Sequence, residues 1–461
     1  MSSLDLNLEL LSKYDRPGPR YTSYPTAPHF AESFGADSFY DEIIRTNQCE
    51  PGARGLSLYF HLPFCDTLCY FCGCNMIITH NPRRIDQYLD HLEREIAGVS
   101  ALLSPARKVE QLHWGGGTPT YLAPDQIARL GRCIHEHFSF TDGAELSVEI
   151  DPRGLERAHL EALRAAGFNR ASLGVQDFNH DVQRAVNRVQ SFAETNWTLE
   201  TLRALGFNSI NLDLIYGLPF QTEETFTATL QTILTMQADR LAVFNYAHVP
   251  WIKKHQSAIP EDKLPGPEMK LRMLKRTIEM LLGAGYVYIG MDHFAKPEDE
   301  LATAQRQGKL HRNFQGYSTH AHCDLYAFGV TGISMLENVY AQNLKELGHY
   351  YKRVSTGQLA TMRGYRLSAD DRLRRYVINR LMCDMRLELP LVSAAFEVDF
   401  KDYFAPALES LRDLEADGLM EMDDTQITIS PLGRLLIRNV AMAFDAYLPQ
   451  HQTRSLFSRT V

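Results

Sequence analysis

The sequence contains no apolar run that approaches the ~20 residues needed for a membrane helix. Its first residues, MSSLDLNLELLSKYDRPGPR, lack a basic stretch followed by an apolar one, so we expect no secretory signal. An acidic tail and a long basic block are also missing, and the net charge is −9. Nucleic acid is disfavoured as the main partner, because such binding needs clustered basic side chains. We therefore expect a cytoplasmic protein that binds neither a membrane nor nucleic acid.

The cysteines do not show the even spread of a disulfide framework. Four of the eight fall within ten residues, at Cys65, Cys69, Cys72 and Cys74, and the others are scattered at positions 49, 133, 323 and 383. Disulfide frameworks belong mostly to small secreted chains. This chain has 461 residues, of which 44% are hydrophobic, so it can build a large core without them. A local cysteine cluster in a reducing compartment indicates metal binding.

Short apolar runs alternate with helical patterns from residue 56 onwards. The predicted strands cover 56–61, 109–114, 145–150, 170–175, 209–216, 240–246 and 286–291. The predicted helices between them cover 86–99, 155–167, 192–206 and 269–285, and several end in glycine, as helix C-termini do. This alternation predicts parallel strands joined by right-handed crossovers. Six or seven such units indicate an α/β fold, namely a partial (β/α) barrel.

The sequence predicts four parts. Four of the five prolines in residues 1–54, at positions 17, 19, 25 and 28, interrupt helices, which predicts an extended N-terminal arm laid over another surface. The barrel covers 55–300, and a less regular region at 301–365 is expected to connect and to cover a substrate. Residues 366–461 predict a mainly helical, winged-helix-like C-terminal domain with a hairpin and a last helix. This shape does not by itself indicate DNA binding, and the acidic chain favours a structural or substrate-covering role.

The strongest motif is a cysteine loop, Cys65-x-x-x-Cys69-x-x-Cys72, directly after the first predicted strand. Three thiolates can bind three irons of a [4Fe–4S] cube, and most cubes take four, so one iron is left open to a small molecule. On spacing alone, a zinc site that includes Cys74, or a loop of free thiols, remains possible. The aromatic residues inside the loop favour the cluster, because they shield it from water.

Unusual residues also follow the other predicted strands. The motif GGGTP at 115–119 follows the second strand, and its glycines allow the backbone to approach a ligand closely. Glu149 lies near the end of the third strand, Gln176 closes the fourth, and Asp213 lies within the fifth. In a βα barrel these carboxyl ends form the active face. Each residue alone could instead cap a helix or pair with a neighbouring charge, but together they predict a site.

These motifs resemble the radical S-adenosylmethionine (SAM) superfamily and, within it, the family of oxygen-independent coproporphyrinogen III oxidases. The resemblance rests on PRYTSYPT, HLPFCDTLCYFCGCN, LHWGGGTPTYL, SVEIDPR, LGVQDFN, VNR, DLIYGLPFQT, FNYAHVP, IGMDHFA and HRNFQGYST, and it runs from about residue 16 to the C-terminus. It implies an enzyme of haem biosynthesis in which a SAM-derived 5′-deoxyadenosyl radical removes hydrogen from a propionate side chain. Loss of carbon dioxide and one electron then leaves a vinyl group. Two such conversions turn coproporphyrinogen III into protoporphyrinogen IX.

The resemblance also implies the cofactors and their ligands. The implied ligands of a [4Fe–4S] cluster are Cys65, Cys69 and Cys72, and Cys74 is not a ligand. Of two SAM molecules, the first contacts Tyr59, Gly116, Glu149 and Ile333. The second lies near Phe71, Gly117, Thr118, Gln176, Arg188, Asp213 and Ala247. The implied catalytic set is Tyr59, Glu149, Gln315 and Ile333. Carboxylates can accept hydrogen bonds from ribose hydroxyls or an amino group, and a guanidinium can bind the SAM carboxylate in a fork.

The implied partners are coproporphyrinogen III and an electron donor such as flavodoxin or ferredoxin, and we expect a monomer. Four propionates require cations, for which Arg20, His311 and Arg312 are candidates, although these side chains could equally serve solubility or anchor the arm. Two other functions remain as alternatives: a radical SAM-like haem chaperone, and a radical SAM methyltransferase of anaerobic haem breakdown. Cys74 and the PRYTSYPT arm disfavour the chaperone, because such relatives generally lack both.

Overall fold

A twelve-stranded sheet forms the centre of the computed structural model, which describes residues 8–49, 54–448 and 459–460. Its strands are β1 Leu56–Leu62, β2 Val109–Gly116, β3 Phe140–Ile150, β4 Arg170–Gln176, β5 Ser209–Tyr216, β6 Arg240–Asn245, β7 Val287–Gly290, β8 His293–Ala295, β9 Asp324–Phe328, β10 Ile333–Met335, β11 Val339–Asn343 and β12 Thr361–Arg366. Their order in the sheet is β12-β11-β10-β9-β1-β2-β3-β4-β5-β6-β8-β7.

Strands β1 to β6 are parallel, which confirms the predicted partial (β/α) barrel. Strand β9 adds to the other side of β1, also in parallel. Strand β7 differs, since it pairs antiparallel with β8, which in turn pairs antiparallel with β6. Two antiparallel pairings in succession give β7 the same direction as β6, so the predicted parallel direction of residues 286–291 is confirmed, although β8 and not β6 is its neighbour in the sheet. Only Met291 and Asp292 separate β7 from β8, and a parallel connection needs a crossover of a dozen or more residues.

Helices pack around the barrel between successive strands. They are Pro82–Ser100, Pro124–His137, Arg157–Ala165, His180–Ala185, Phe192–Ala204, Glu223–Thr235 and Pro267–Gly283. The first begins where the Asn81 side chain accepts a hydrogen bond from the backbone N of Arg83, and it buries Leu89, Leu92 and Ile96 against the sheet. In the described part of the chain, no helix has both the length and the apolar character needed to cross a membrane.

The region predicted as irregular, 301–365, extends the central sheet through the antiparallel strands β9 to β12. It also contains the helices Glu300–Arg306 and Leu347–Ser355 and a small hairpin of His311–Asn313 with Gly316–Ser318. These strands have three to six residues, which is too short for a clear alternating pattern. The predicted domain boundaries at 54, 300 and 365 remain predictions.

The N-terminal arm contains two helices, Leu8–Tyr14 and Ala36–Cys49. The prediction of an extended arm is wrong for these segments, because the four prolines on which it rests lie between positions 17 and 28 and interrupt neither helix. The proline-rich part between them packs on the C-terminal region: Arg438 donates to the carbonyl of Pro19 at 3.0 Å. The two ends of the chain also meet, since Pro17 forms a bridge with Arg459.

The C-terminal region has the predicted order of helices, hairpin and helix. Its helices are Ala369–Asp384, Leu389–Phe396, Phe400–Tyr403, Ala405–Ser410, Arg412–Ala416 and Ile437–Met442, with a 3-10 turn at Gly433–Leu436. The hairpin of Met420–Met422 and Gln426–Ile429 gains a third strand, Arg386–Glu388.

A buried ion pair holds β9 beside β1. Asp324 accepts from Arg107 at 2.6 Å and from Arg54 at 2.9 Å, and the side chains of Asp324 and Arg107 are 1% and 2% exposed. Asp324→Ala leaves the Arg107 charge buried without compensation, so we expect it to lower the free energy of unfolding by about 3–5 kcal/mol. Urea unfolding measures the loss.

The matched control removes an exposed pair. Glu161 accepts from Arg157 at 2.7 Å, with both side chains more than half exposed, so Glu161→Ala should cost less than about 1 kcal/mol. Equal losses in the two variants would contradict the assignment of β9 stability to the buried pair.

Candidate active site

A cavity of about 740 Å³ opens at the carboxyl ends of β1 to β6. The predicted site residues that line it are Cys65, Cys69, Phe71, Cys72, Gly116, Gly117, Thr118, Glu149, Gln176, Arg188, Asp213, Ala247 and Gln315. These residues are far apart in sequence, and the ends of the parallel strands bring them together. Their individual roles remain predictions.

The cysteine loop and the GGGTP motif contact each other directly. The backbone N of Gly117 donates to the carbonyl of Leu62 at 2.8 Å, and that of Thr118 donates to the carbonyl of Phe64 at 2.9 Å. The Thr118 hydroxyl donates to the Cys65 sulfur at 3.3 Å. A Cβ at Gly117 would lie 2.5 Å from the Pro63 carbonyl, so only glycine allows this approach. The second motif therefore fixes the start of the cysteine loop.

The segment after β6 holds the other side of the loop. His255 Nε2 lies 2.7 Å from the carbonyl oxygen of Cys72, and the Gln256 amide donates to the carbonyl of Phe71 at 3.1 Å. Lys253 donates to the carbonyl of Cys74 at 3.0 Å. Three loop carbonyls thus have partners outside the loop, which orders it against the barrel.

Positive groups and hydrogen-bond donors surround two of the three thiols. The Cys69 sulfur accepts from Arg153 and Arg188, each at 3.7 Å. Hydrogen bonding from Cys74 lowers the pKa of Cys72 to about 7, and the backbone N of Cys74 lies 3.4 Å from the Cys72 sulfur. The contacts of Cys72 favour its thiolate, which is the form that binds metal. Burial instead raises the pKa of Cys65 to about 12.

The spacing of the loop sulfurs fits a cluster better than zinc. Around a single zinc ion with Zn–S bonds of about 2.3 Å, sulfurs lie about 3.8 Å apart. Among the described residues, the loop thiols do not form a group of three within 4.8 Å of one another. The three irons of a cube hold their thiolates further apart. The donor set therefore fits a [4Fe–4S] cluster.

Glu149 is an ionised carboxylate behind the GGGTP motif. Its Oε2 accepts from the backbone N of Gly116 at 3.1 Å, and its Oε1 lies 3.4 Å from His113 Nε2. Burial alone would raise the pKa of Glu149, yet hydrogen bonding with His113 and Gly116 holds it below its usual value. Tyr59 does not itself line the cavity but stacks on His113, with ring centroids 5.9 Å apart.

Asp213 is a second carboxylate with the opposite shift. It accepts from the Ser172 hydroxyl at 2.8 Å and from the Asn211 amide at 2.7 Å. Burial, opposed by the Ser172 hydrogen bond and reinforced by repulsion from Glu149, raises the pKa of Asp213 to about 6. The cavity thus holds one carboxylate that is charged throughout the neutral range and one that gains its charge near pH 6.

Arg188 is largely engaged by the protein itself. It donates to Asp151 at 2.9 Å and to the carbonyl of Gly174 at 2.7 Å. Its buried Nε has no hydrogen-bond partner among the described residues. Asp151 and Arg153 were not among the site residues predicted from the sequence, and they form an ion pair with each other at 2.6 Å. Both directly follow the end of β3, which is the signal that identified Glu149.

Gln315 and Ile333 have different environments. Gln315 lines the cavity, and its buried Nε2 has no partner in the described part of the chain. Ile333 does not line the cavity and packs instead in an apolar cluster with Phe30, Tyr340 and Leu367. The structure thus brings Gln315, but not Ile333, to the other predicted residues.

Of the cations proposed from the sequence, Arg20 and Arg312 lie near the cavity and His311 does not line it. Arg20 pairs with Asp292 and lies over the ring of Phe244, which lines the cavity. Arg312 lies over the Tyr317 ring, another lining residue. His311 faces the helix Ala369–Asp384, where burial and nearby arginines lower its pKa to about 4.

Two protein-family models match this chain. The radical SAM superfamily model matches residues 59–233, and the HemN C-terminal domain model matches residues 367–436. Oxygen-independent coproporphyrinogen III oxidase of Escherichia coli K12 is 50% identical over 461 residues, which is all of both chains, and that of Pseudomonas aeruginosa PAO1 is 46% identical over all of both. The solved structure described as coproporphyrinogen III oxidase (HemN) from Escherichia coli, a radical SAM enzyme, superimposes with a TM-score of 0.92 at 49% identity, covering 97% of this chain and all of that one.

Proposed function

Because the chain belongs to the family of oxygen-independent coproporphyrinogen III oxidases, within the radical SAM superfamily, we propose that it converts two propionates of coproporphyrinogen III into vinyl groups. The product is protoporphyrinogen IX, an intermediate of haem biosynthesis. The observation that carries the proposal is a single cavity that joins a three-cysteine loop, two carboxylates with different pKa values and nearby arginines. We assign the reaction to the cytoplasm.

Cys65, Cys69 and Cys72 would hold the [4Fe–4S] cluster, and the bound cluster and SAM together supply a 5′-deoxyadenosyl radical. The protein orders the loop through contacts on both sides, from Thr118 and from His255. Such positioning keeps the reacting groups together and excludes water.

Two SAM molecules would bind along the strand ends. Glu149 and the Gly116 backbone lie on the β2–β3 side, where they can accept and donate hydrogen bonds to the first. Asp213 and Gln176 lie on the β4–β5 side, beside the place assigned to the second. The orphan Nε of Arg188 can donate one further bond to a SAM carboxylate.

The substrate is a large ring with four anionic side chains, and the mouth of the cavity fits both features. Trp251 and Ile252, 60% and 56% exposed, present apolar surface beside the cavity. Burial and the neighbouring Arg312 and Arg438 lower the pKa of Arg20 to about 9. A propionate carboxylate placed among these guanidinium groups would offset their mutual repulsion.

Reduction would come from a small electron carrier such as flavodoxin or ferredoxin, acting on a monomer. Gly73 and Cys74 in the cysteine loop are exposed at the surface. Both residues also line the cavity, so a carrier that docks there would approach the cluster at the open side of the cavity.

The titration of Asp213 gives a prediction for SAM binding. Below pH 6 its carboxyl is protonated, so it cannot offer charge-assisted hydrogen bonds; above pH 6 it is ionised. Loss of such a bond costs about 1.5–3 kcal/mol, or roughly 10- to 100-fold in affinity. We expect SAM affinity to rise between pH 5 and 7, and Asp213→Asn to bind 10- to 100-fold more weakly at pH 7 without that rise.

Calorimetric titration of cluster-loaded protein with SAM measures both quantities. Glu149→Gln is the matched control: it should weaken SAM binding while leaving the change near pH 6 in place, because the pKa of Glu149 lies below that range. A pH profile of Asp213→Asn that matches the unsubstituted protein would contradict the assignment.

The function itself is tested by incubating reduced, cluster-loaded protein with coproporphyrinogen III and SAM under anaerobic conditions. Mass spectrometry should detect protoporphyrinogen IX, two molecules of carbon dioxide per ring and 5′-deoxyadenosine. Haem transfer without decarboxylation would identify a chaperone, and methyl transfer with ring opening would identify a haem-degrading methyltransferase.

A further inference from the structure

A second group of metal-binding side chains lies at the amino-terminal ends of the barrel strands. Its members are Glu110, His322 and Cys323, whose ligand atoms all lie within 4.8 Å of one another. His322 Nε2 is 2.7 Å from Glu110 Oε2. Strand β1 has seven residues, and at about 3.3 Å per residue it separates this group from the cysteine loop by roughly 20 Å. The two sites are therefore independent.

Backbone irregularities bring these three side chains together. In the pairing of β1 with β2, Leu56 pairs with Val109 and Ser57 pairs with Gln111, so Glu110 is skipped. The register of β2 with β3 also shifts between Val109 and Gln111, although there the extra residues belong to β3. A residue inserted in this way forms a bulge, and bulges redirect side chains. The sheet thus turns the Glu110 carboxylate out of the regular alternation.

The two other members come from a tight turn before β9. The backbone N of Cys323 donates to the carbonyl of His320 at 3.2 Å, which closes the turn around His322. A Cβ at Gly55 would collide with the Glu110 carboxylate and lie 2.9 Å from the Cys323 sulfur. Glycine at position 55 therefore leaves the space in which the carboxylate and the thiol approach each other.

We propose that Glu110, His322 and Cys323 bind one divalent transition-metal ion of the zinc class, with water as a fourth ligand. Thiolate, imidazole and carboxylate are the donors that zinc takes, with bonds of about 2.0–2.3 Å, so neighbouring ligand atoms lie about 3.3–3.8 Å apart. On binding, the metal replaces the proton shared by His322 Nε2 and Glu110 Oε2. These two atoms lie 2.7 Å apart, and they need to separate by less than about 1 Å to bind the ion.

The burial of the three ligands suits this role. The Cys323 side chain is buried, Glu110 is partly buried, and His322 is 60% exposed, so an ion can enter from solvent at the histidine. Glu110 belongs to β2 and Cys323 directly precedes β9, and these strands flank β1 on its two sides. The ion would join both neighbours of the strand that leads to the cysteine loop. If no metal binds, the Glu110 carboxylate instead forms ion pairs with His322 and with His320.

The test uses cluster-loaded protein dialysed against zinc sulfate, with iron and zinc measured together by mass spectrometry. We expect one zinc per chain beside four irons. His322→Asn and Cys323→Ser should each lower bound zinc at least tenfold at unchanged iron. Cys133→Ser, which changes another buried free cysteine, is the matched control and should keep the zinc. X-ray absorption at the zinc edge should show one sulfur ligand.

Three outcomes would overturn the proposal. They are no zinc above background in the unsubstituted protein, equal zinc in His322→Asn and the unsubstituted protein, or three or more sulfur ligands, which would place the ion in the cysteine loop. His322 is an exposed side chain, so its substitution decides the question even where Cys323→Ser does not fold.

Discussion

Replacing Cys65, Cys69 or Cys72 with serine is expected to reduce bound iron from about four per chain to nearly none and to abolish coproporphyrinogen conversion. A serine hydroxyl is a poor substitute for a thiolate, and a cube held by three protein ligands has no spare one. Two of the thiols are also held by contacts of their own: Thr118 contacts Cys65, and Arg153 and Arg188 contact Cys69. Iron and labile sulfide analysis of anaerobically prepared protein measures the effect.

Cys74→Ser is the matched control for this prediction. Cys74 lies beside Cys72 and donates to its sulfur from the backbone, a contact that serine preserves. This variant should therefore retain its iron even if its activity falls. Iron loss equal to that of Cys69→Ser would make Cys74 a fourth ligand and close the open iron. Stoichiometric zinc in the loop without labile sulfide would contradict the cluster assignment altogether.

Arg20→Met is expected to lower coproporphyrinogen conversion 10- to 100-fold, which corresponds to the loss of one charge-assisted contact worth about 1.5–3 kcal/mol. Arg20 reaches the cavity mouth from the arm, where it pairs with Asp292 and lies over Phe244. The cluster ligands and the carboxylates Glu149 and Asp213 lie on other strand ends, so cluster loading and SAM binding should be unaffected. SAM cleavage then continues while decarboxylation falls, so the ratio of 5′-deoxyadenosine to carbon dioxide rises.

Arg45→Met provides the control, since Arg45 pairs with Glu42 on the helix Ala36–Cys49 and is half exposed. It should leave that ratio and the KM for coproporphyrinogen unchanged. A point substitution is preferable to deletion of residues 1–25, because Tyr21 and Tyr24 are 4% and 1% exposed and belong to the main core. Full activity and an unchanged ratio in Arg20→Met would refute a role of the arm in substrate binding.

The parallel part of the barrel could be predicted because each of its strands carries its own signal. Six apolar runs matched β1 to β6, and the rule that polar residues at strand ends meet on one face located most of the cavity lining. The short strand β8 was not predicted: the two-residue turn after β7 reverses the chain, and β8 inserts between β6 and β7. The direction of a strand depends on the connection that precedes it, and a run of apolar residues does not indicate that direction.

The contacts between distant segments could not be predicted. Arg20 pairs with Asp292, and Arg312 donates to the carbonyl of Arg20. Nothing near any of these positions in the sequence indicates its partner. The proximity of Glu110 to His322 could not be predicted either, because a bulge in β2, and not residue spacing, orients the carboxylate.

The meeting of the two chain ends has a consequence for the order of biosynthesis. The proline-rich part of the arm is held by Arg438, Asp445 and the bridge from Pro17 to Arg459, all near the end of the chain. Ribosomes make proteins from the N-terminus, and early segments begin to fold first. The arm is therefore made before the surface on which it docks. The cysteine loop is also made before that surface, so iron and sulfide have access to it before the arm can close against the C-terminal region.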